Sequence, residues 1–292
     1  MCECACLHIK LTTLCHVLVS VSFETLPWAC RYVEYGSTVE VLGTKEVVDV
    51  ACHPFAMTAP ACSVLTQLLS RGEARPVATS TSSDSTTSST TASSSRSSSD
   101  NLPPELLPHF QPCPNQLAIT LMNINSVWHP CITYGRFHSW NGYTPFTAPL
   151  PFYEGVDDFT AQILDSVSNE VLAIKAALLQ HHPHLNLDRV RHVSDWLLSA
   201  YDHQIADKTS LRTRITTNRA YAGIMHPMVP APVGATEEGG GGSVPNTAHR
   251  FWVEDLPCGM VATRGIAELA GVDTPTIDTV ILVRYWHFIA SF

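Results

Sequence analysis

The chain has 292 residues, enough for one large domain or two of ordinary size, and its 45% hydrophobic and 15% charged residues are typical of a globular protein. Acidic residues outnumber basic ones by 26 to 17, which gives a formal net charge of −9. That balance excludes a basic surface for nucleic acid and argues against binding to an anionic membrane.

The ten cysteines do not form a disulfide or zinc pattern. Cys2, Cys4 and Cys6 alternate without a CxxC pair or a matching histidine, and the remaining cysteines are scattered singly. No run reaches the ~18 apolar residues of a membrane helix, and no signal-peptide cleavage site is well defined. We therefore expect a cytoplasmic protein with reduced thiols and no membrane contact.

The first elements follow a strand, turn, strand, helix order. Residues 14–23 are rich in valine and predict a buried strand. Residues 33–52 contain two β-rich runs, with turns predicted at Gly36 and Gly43. Apolar spacing over residues 57–70 predicts an amphipathic helix. This order is half of a doubly wound α/β domain, and residues 1–24 are interpreted as a divergent N-terminus.

The glycine-rich fingerprint of a dinucleotide-binding domain, GxGxxG, does not occur in the sequence. The run Gly239–Gly242 follows two glutamates and no predicted strand, so it predicts a flexible loop and not a phosphate cradle. We therefore expect only a partial Rossmann-like domain over residues 25–78.

A linker and a mainly helical region follow. Residues 79–99 are almost all serine and threonine, and the proline-rich segment up to residue 114 continues the linker, so 79–114 is predicted to be disordered. Residues 115–292 form the predicted second domain. Apolar periodicity predicts five helices there, at residues 156–182, 188–205, 209–223, 264–275 and 274–290. The fold class is thus α/β plus all-α.

His129 is the main candidate for chemistry. It lies between Trp128 and Pro130, shortly after Asn123 and Asn125, and a loop punctuated by glycine and proline is expected to follow. Its ordinary pKa near 6.5 suits proton transfer at neutral pH, although a packed core histidine has the same local pattern. The other histidines have no partners at metal-ligand spacing, so we predict no metal site and assign solvated or capping roles to His53, His138, His226, His181, His182 and His184.

Several motifs resemble the opine dehydrogenases, the octopine/nopaline dehydrogenase family. NINSVWHP with YGR, RFWVEDLPCGM and GVDTPTID are similar to that family's C-terminal domain. LPWACRYVEYG and VEVLGTKEVVDVACHP resemble the second half of its nucleotide-binding domain. The resemblance covers residues 25–69 and 117–280. Because it begins near Thr25, we expect the first βαβ unit, with its GxGxxG, to be missing from this chain.

The resemblance implies an NAD- or NADP-dependent oxidoreductase. It would join the amino group of an amino acid to a 2-oxo acid such as pyruvate and reduce the resulting imine. By the same resemblance, His129 is the catalytic acid/base and Asp255 orients its imidazole. The missing unit predicts low activity for the chain as written.

The resemblance also implies which residues bind cofactor and substrate. Arg250 would contact the cofactor across the cleft, with Leu26, Pro27 and Cys30 nearby. Asn123, Asn125 and Trp128 would contact substrate. The sequence leaves three alternatives open: Asp255 as a helix cap or surface carboxylate, Arg250 in a surface salt bridge, and Cys30 as a structural thiol.

A second class of function stays open as well. The chain could be a non-catalytic relative that binds amino or oxo acids, or an interaction module in which His129 is structural. The sequence does not determine the amino acid, the choice of NAD over NADP, or the oligomeric state.

Overall fold

The computed structural model describes residues 19–34, 37–70, 107–232 and 242–289. The predictions for Cys2, Cys4 and Cys6, for the linker over residues 79–106, and for the glycines at 239–241 lie outside the described residues. In the described parts, a small β-rich region is followed by a mainly helical body, which confirms the predicted fold class.

Three strands and one helix form an α/β unit. Strands β1 (Ser20–Phe23), β4 (Val47–His53) and β5 (His109–Pro112) form a sheet in the order β1-β4-β5, with β1 antiparallel and β5 parallel to β4. Helix α1 (Thr58–Ser70) packs against β4 and β5 and completes a βαβ unit. β5 therefore lies within the segment from which the sequence predicted only an extended linker.

Strand β4 is buried on both of its faces. Val48, Val50 and Cys52 point into one apolar cluster with α1, whereas Ala51, on the opposite face, joins the core of the helical body. Because successive side chains of a strand alternate between faces, β4 connects the two clusters. Asp49, also on the second face, is fully buried there.

A separate hairpin consists of β2 (Trp28–Glu34) and β3 (Thr38–Thr44). Gly43, predicted to mark a turn, instead lies inside β3. A Cβ atom at this position would overlap the Cβ of Ala220, so the glycine is explained by close approach of the hairpin to a 3₁₀ turn at Arg219–Tyr221.

The helical body contains seven helices among the described residues, and the longest, α4, begins after the N-cap Asp157. Short strands β6 (Met228–Pro230) and β7 (Ser243–Pro245) pair between the helices. The seven helices are α2 (Gln116–Leu121), α3 (Ile124–Phe137), α4 (Asp158–His181), α5 (Val193–Tyr201), α6 (Leu211–Thr216), α7 (Val261–Ala270) and α8 (Pro275–Ile289). A π-helix spans Phe251–Met260 and leads directly into α7. None of the helices in the described ranges is both long and apolar enough to cross a membrane.

The crossing of α3 and α4 depends on Gly135. A Cβ atom on Gly135 would overlap the buried side chain of Thr160 on α4. We expect Gly135→Ala to lower the free energy of unfolding by about 1–3 kcal/mol, because the helices must separate or Thr160 must move. Gly265→Ala, on α7, meets open space and is expected to stabilise the protein by about 0.5–1 kcal/mol. Urea unfolding of both variants tests this, and equal stabilities would contradict it.

Candidate active site

His129 lies in the middle of helix α3. The sequence instead predicts a loop directly after this residue. Pro130 and the neighbouring asparagines favour a break, but the helix continues because Trp128, Cys131 and Ile132 are all buried in the core. The gain from burying this face outweighs the lost backbone hydrogen bond at Pro130. The helix fixes the orientation of the His129 ring, which is only 7% exposed.

Asp255 is presented by the π-helix, which packs against α3. A π-helical stretch is rare and often marks a functional site. The carboxylate is buried, and its Oδ2 lies 2.7 Å from Nδ1 of His129, although the two residues are 126 positions apart in the chain. The structure thus brings the two predicted catalytic side chains into direct contact.

The surroundings of His129 favour its neutral form. Its ring stacks on Phe251 with a centroid distance of 3.7 Å and meets the ring of Phe152 edge-on at 5.8 Å. Burial lowers the pKa of His129 below its usual value, and the hydrogen bond that Nδ1 donates to Asp255 opposes this shift without cancelling it. We assign Nδ1 as the protonated nitrogen, donating to Asp255, which leaves the lone pair of Nε2 free to accept a proton.

Arg250, directly before the π-helix, contributes a positive charge next to this pair. The Nε atom of Arg250 lies 3.9 Å from the same Oδ2 of Asp255. This Nε is buried and has no hydrogen-bond partner among the described residues. The rest of the side chain is 41% exposed. A buried donor without a partner is unusual and suits a site that receives a ligand acceptor.

A cavity of about 430 Å³ lies between the sheet region and the helical body, and His129 and Arg250 line it. Of the other predicted binding residues, four line the same cavity: Leu26, Cys30, Asn125 and Trp128. Asp255 does not line it but lies behind His129.

Two predicted binding residues lie outside this cavity. Pro27 is turned away from it, and its carbonyl accepts a hydrogen bond from the backbone N–H of Lys45 at 3.0 Å. Asn123 precedes α3 and lines a smaller neighbouring cavity of about 90 Å³, which Asn125 also lines.

Sequence reasoning missed several residues of the cavity wall, and these include Lys45, Tyr153, Tyr201, Tyr221 and Phe251. Lys45 is a charged residue shortly before the apolar run of β4. This position is only a weak signal that its side chain is buried. The tyrosines are far apart in sequence, and nothing local distinguishes them from core aromatics.

The described residues contain neither a metal-ligand cluster nor a disulfide. Within the described ranges, no group of three or more His, Cys, Asp or Glu side chains is arranged to hold a metal ion. The six cysteines of those ranges, which are Cys30, Cys52, Cys62, Cys113, Cys131 and Cys258, form no disulfide.

His226 is buried, so the solvated or capping role predicted for it is wrong. Its ring packs against Phe137 and Phe152, with centroid distances of 5.0 and 4.8 Å. Burial lowers the pKa of His226 to about 3, and nearby Arg136 contributes in the same direction. The unfolded chain takes up this proton near pH 6.5, so the stability from neutral His226 is complete above pH 6.5 and declines as the pH falls towards 3.

We therefore expect acid to destabilise the protein through His226, by about 2 kcal/mol at pH 5 relative to pH 7. His226→Phe should remove this part of the pH dependence, whereas the same change at exposed His184 should leave it unchanged. Urea unfolding at both pH values measures the difference. Identical pH dependence in wild type and His226→Phe would contradict the assignment.

Comparison with known families supports the class of protein that this fold and site indicate. A family model described as "NAD/NADP octopine/nopaline dehydrogenase, alpha-helical domain" matches residues 112–285, which include α3, the π-helix and the residues between them. The chain belongs to this octopine/nopaline dehydrogenase family.

Individual proteins that are similar to this chain belong to the same family. The chain is 33% identical to tauropine dehydrogenase from Arabella iricolor and 35% identical to octopine dehydrogenase from Mizuhopecten yessoensis, each over 261 residues and 89% of this chain. A solved octopine dehydrogenase structure with NADH and L-arginine is similar at a TM-score of 0.64 and 30% identity, and it covers 91% of this chain. These alignments cover 55%, 54% and 55% of the respective relatives, so the chain spans about half their length.

Proposed function

We propose that this chain forms the reaction site of an NAD(P)H-dependent opine dehydrogenase, which condenses an amino acid with a 2-oxo acid and reduces the imine. The observation that carries the proposal is the 2.7 Å contact between Nδ1 of His129, which lines the cavity, and the Asp255 carboxylate behind it. A histidine oriented by a buried carboxylate, with its second nitrogen free, is suited to general acid/base catalysis.

The proposed proton transfers use only Nε2 of His129. Neutral Nε2 accepts a proton from the ammonium group of the amino acid, and the free amine then attacks the carbonyl carbon of the 2-oxo acid. The imidazolium protonates the resulting alkoxide and regains a proton from the attacking nitrogen, which gives a neutral adduct with a hydroxyl group. The imidazolium, stabilised by Asp255, returns the proton to the hydroxyl group of the adduct, which leaves as water and forms the iminium. Because the pKa of His129 is lowered, its neutral form is available at neutral pH.

Arg250 is the proposed partner of the carboxylate of the 2-oxo acid. Its planar guanidinium suits a carboxylate, and the buried Nε provides a donor without a described partner. Asn125 and Trp128 line the same cavity and are proposed to contact substrate. We propose that Asn123 contacts the substrate only where the substrate extends into the smaller neighbouring cavity.

The cavity residues fit the nicotinamide end of a dinucleotide. When bound, NADH or NADPH supplies the hydride that reduces the iminium carbon. Leu26 and Cys30 provide a wall next to His129 for the nicotinamide ring. Pro27 supports this wall through its backbone. The sequence contains no GxGxxG cradle for the pyrophosphate, so these residues fit the reacting half of the cofactor only.

The similar proteins narrow the proposed substrates. Solved octopine dehydrogenase structures contain NADH with L-arginine, agmatine or pyruvate, and one relative is a tauropine dehydrogenase. We propose pyruvate as the 2-oxo acid and L-arginine as the first amino donor to be tested. The absence of disulfides among the described cysteines supports the proposed cytoplasmic location.

The test is a nicotinamide oxidation assay on the full chain. NADH or NADPH is mixed with pyruvate and one amino donor at a time, and absorbance of the reduced nicotinamide is followed. Oxidation should require both substrates together. Binding of substrates without any oxidation, measured in parallel by calorimetry, would instead favour a non-catalytic ligand-binding relative.

A further inference from the structure

Lys45 is a buried cation in the wall of the cavity. It lies between β3 and β4 and is only 5% exposed, yet it lines the cavity together with His129 and Arg250. Its Nζ donates a hydrogen bond to the carbonyl oxygen of Leu26 at 2.6 Å and lies 5.4 Å from the centre of the Tyr201 ring. The side chain is thus fixed in position.

No carboxylate among the described residues is in contact with the charge of Lys45, although the buried Glu24 lies within electrostatic range. No carboxylate in the described ranges lies within 4.0 Å of its Nζ, whereas lysines this deeply buried are normally paired. An ammonium has three N–H donors, and the Leu26 carbonyl uses one of them. Burial lowers the pKa of Lys45 to about 7, and Glu24 opposes this shift only in part. An anion in the cavity would complete the coordination of the ammonium.

A row of three tyrosines separates Lys45 from Arg250. Tyr153, which lies within electrostatic range of Asp255 and Arg250, stacks on Tyr221 with a centroid distance of 4.0 Å. Tyr221 contacts Tyr201 at 5.2 Å, and Lys45 lies over Tyr201. The two cations therefore lie at opposite ends of this row, so they are placed to bind two different anionic groups.

We infer that Lys45 binds a second carboxylate in this cavity, that of the amino acid, while Arg250 binds the carboxylate of the 2-oxo acid. The assignment of the two carboxylates rests on the proposed function, in which the product is a secondary amine flanked by two carboxylates. A cation at each end orients both substrates so that the amine and the carbonyl carbon meet beside Nε2 of His129. Lys45 is then a substrate-binding residue, and not only a tether for the Leu26 carbonyl.

The test compares two probes that differ by one carboxylate. Iminodiacetate carries the two carboxylates of the product core around a secondary amine, and sarcosine carries one. Both are titrated into the full chain by calorimetry, with and without NADH. The wild type should bind iminodiacetate more tightly than sarcosine, and Lys45→Met should weaken iminodiacetate binding by about 10- to 100-fold with little effect on sarcosine.

Lys175→Met is the matched control, because Nζ of Lys175 also donates to a backbone carbonyl, that of Val190 at 2.7 Å, but does not line the cavity. It should bind both probes like the wild type. Lys45→Arg keeps the charge and should retain the preference for iminodiacetate, which covers the case in which Lys45→Met fails to fold.

The inference is overturned if the wild type shows no preference for iminodiacetate, or if folded Lys45→Met retains it. These results are separable from the fate of the proposed function. If the chain oxidises NADH and Lys45→Met binds iminodiacetate as tightly as the wild type, only the second carboxylate site is refuted. A chain without turnover whose iminodiacetate binding still depends on Lys45 refutes only the proposed reaction.

Discussion

Replacing His129 with asparagine is expected to lower kcat by about 10²- to 10⁴-fold while the KM values change little. The imidazole is the group placed to move a proton in the cavity, and asparagine has no titratable nitrogen to replace Nε2. Asparagine still donates a hydrogen bond to Asp255, so that buried carboxylate keeps a partner and the fold should persist. The nicotinamide oxidation assay, with each substrate varied in turn, measures both constants.

The matched control for His129 is His138→Asn on the same stretch of chain. His138 follows the end of α3 and is exposed, and its Nδ1–H donates one hydrogen bond to the Gly135 carbonyl. It does not line the cavity, so its replacement should leave kcat unchanged. If His129→Asn turned over at the wild-type rate while remaining folded, His129 would have no role in the chemistry.

Asp49→Asn is expected to cause the largest loss of stability, about 3–5 kcal/mol in the free energy of unfolding. The fully buried carboxylate of Asp49 accepts two hydrogen bonds from Arg189, at 2.7 Å from Nε and 2.5 Å from Nη2, and Arg191 lies 4.0 Å away. This bidentate contact joins β4 to the segment between α4 and α5. Neutralising Asp49 removes the only carboxylate in contact with these two partly buried guanidinium groups among the described residues and leaves only the buried Glu24 in electrostatic range.

Urea unfolding measures this loss, and Asp202→Asn is its control. Asp202 forms an ion pair with Lys208 at 2.7 Å, but both side chains are about half exposed, so this change should cost less than about 1 kcal/mol. A loss for Asp49→Asn as small as that for Asp202→Asn would show that the buried pair does not hold the sheet to the helical body.

The parts of the fold that were predictable from sequence are those in which local signals and burial agree. Helix α4 has an apolar repeat and an N-cap at Asp157, and its observed limits fall within two residues of the prediction. Helix α1 was also predicted within one residue. Helix α6 was predicted too long, because the TTN sequence after Ile215 favours a turn and a short 3₁₀ segment follows.

The errors occur where packing overrides a local signal. The loop expected to follow His129 begins only after Phe137, because the buried face of α3 continues the helix past Pro130. Gly43 looked like a turn residue, whereas its role is to allow contact with Ala220. The π-helix at Phe251–Met260 has no periodicity that a pattern for α-helices or strands detects.

In the candidate active site, too, some residues could be predicted from sequence and others depend on packing. His129 and Asp255 were paired through family resemblance, because no local signal connects residues 126 positions apart. Lys45 and the three tyrosines were not predicted, since their convergence depends on how the hairpin and the helices pack. The chemistry of the individual site side chains could therefore be read from the sequence. The burial and contacts that shift their pKa values could be seen only in the three-dimensional structure.

The cavity wall includes the indole rings of Trp28, Trp128 and Trp196, half of the six tryptophans in the sequence. The protein consequently carries intrinsic fluorophores at the place where a ligand would bind. Occupancy of the cavity changes the polarity around these rings and hence their emission, and a reduced nicotinamide beside them would quench it. Ligand titrations can thus be read optically on the unlabelled chain, even for a variant that performs no turnover.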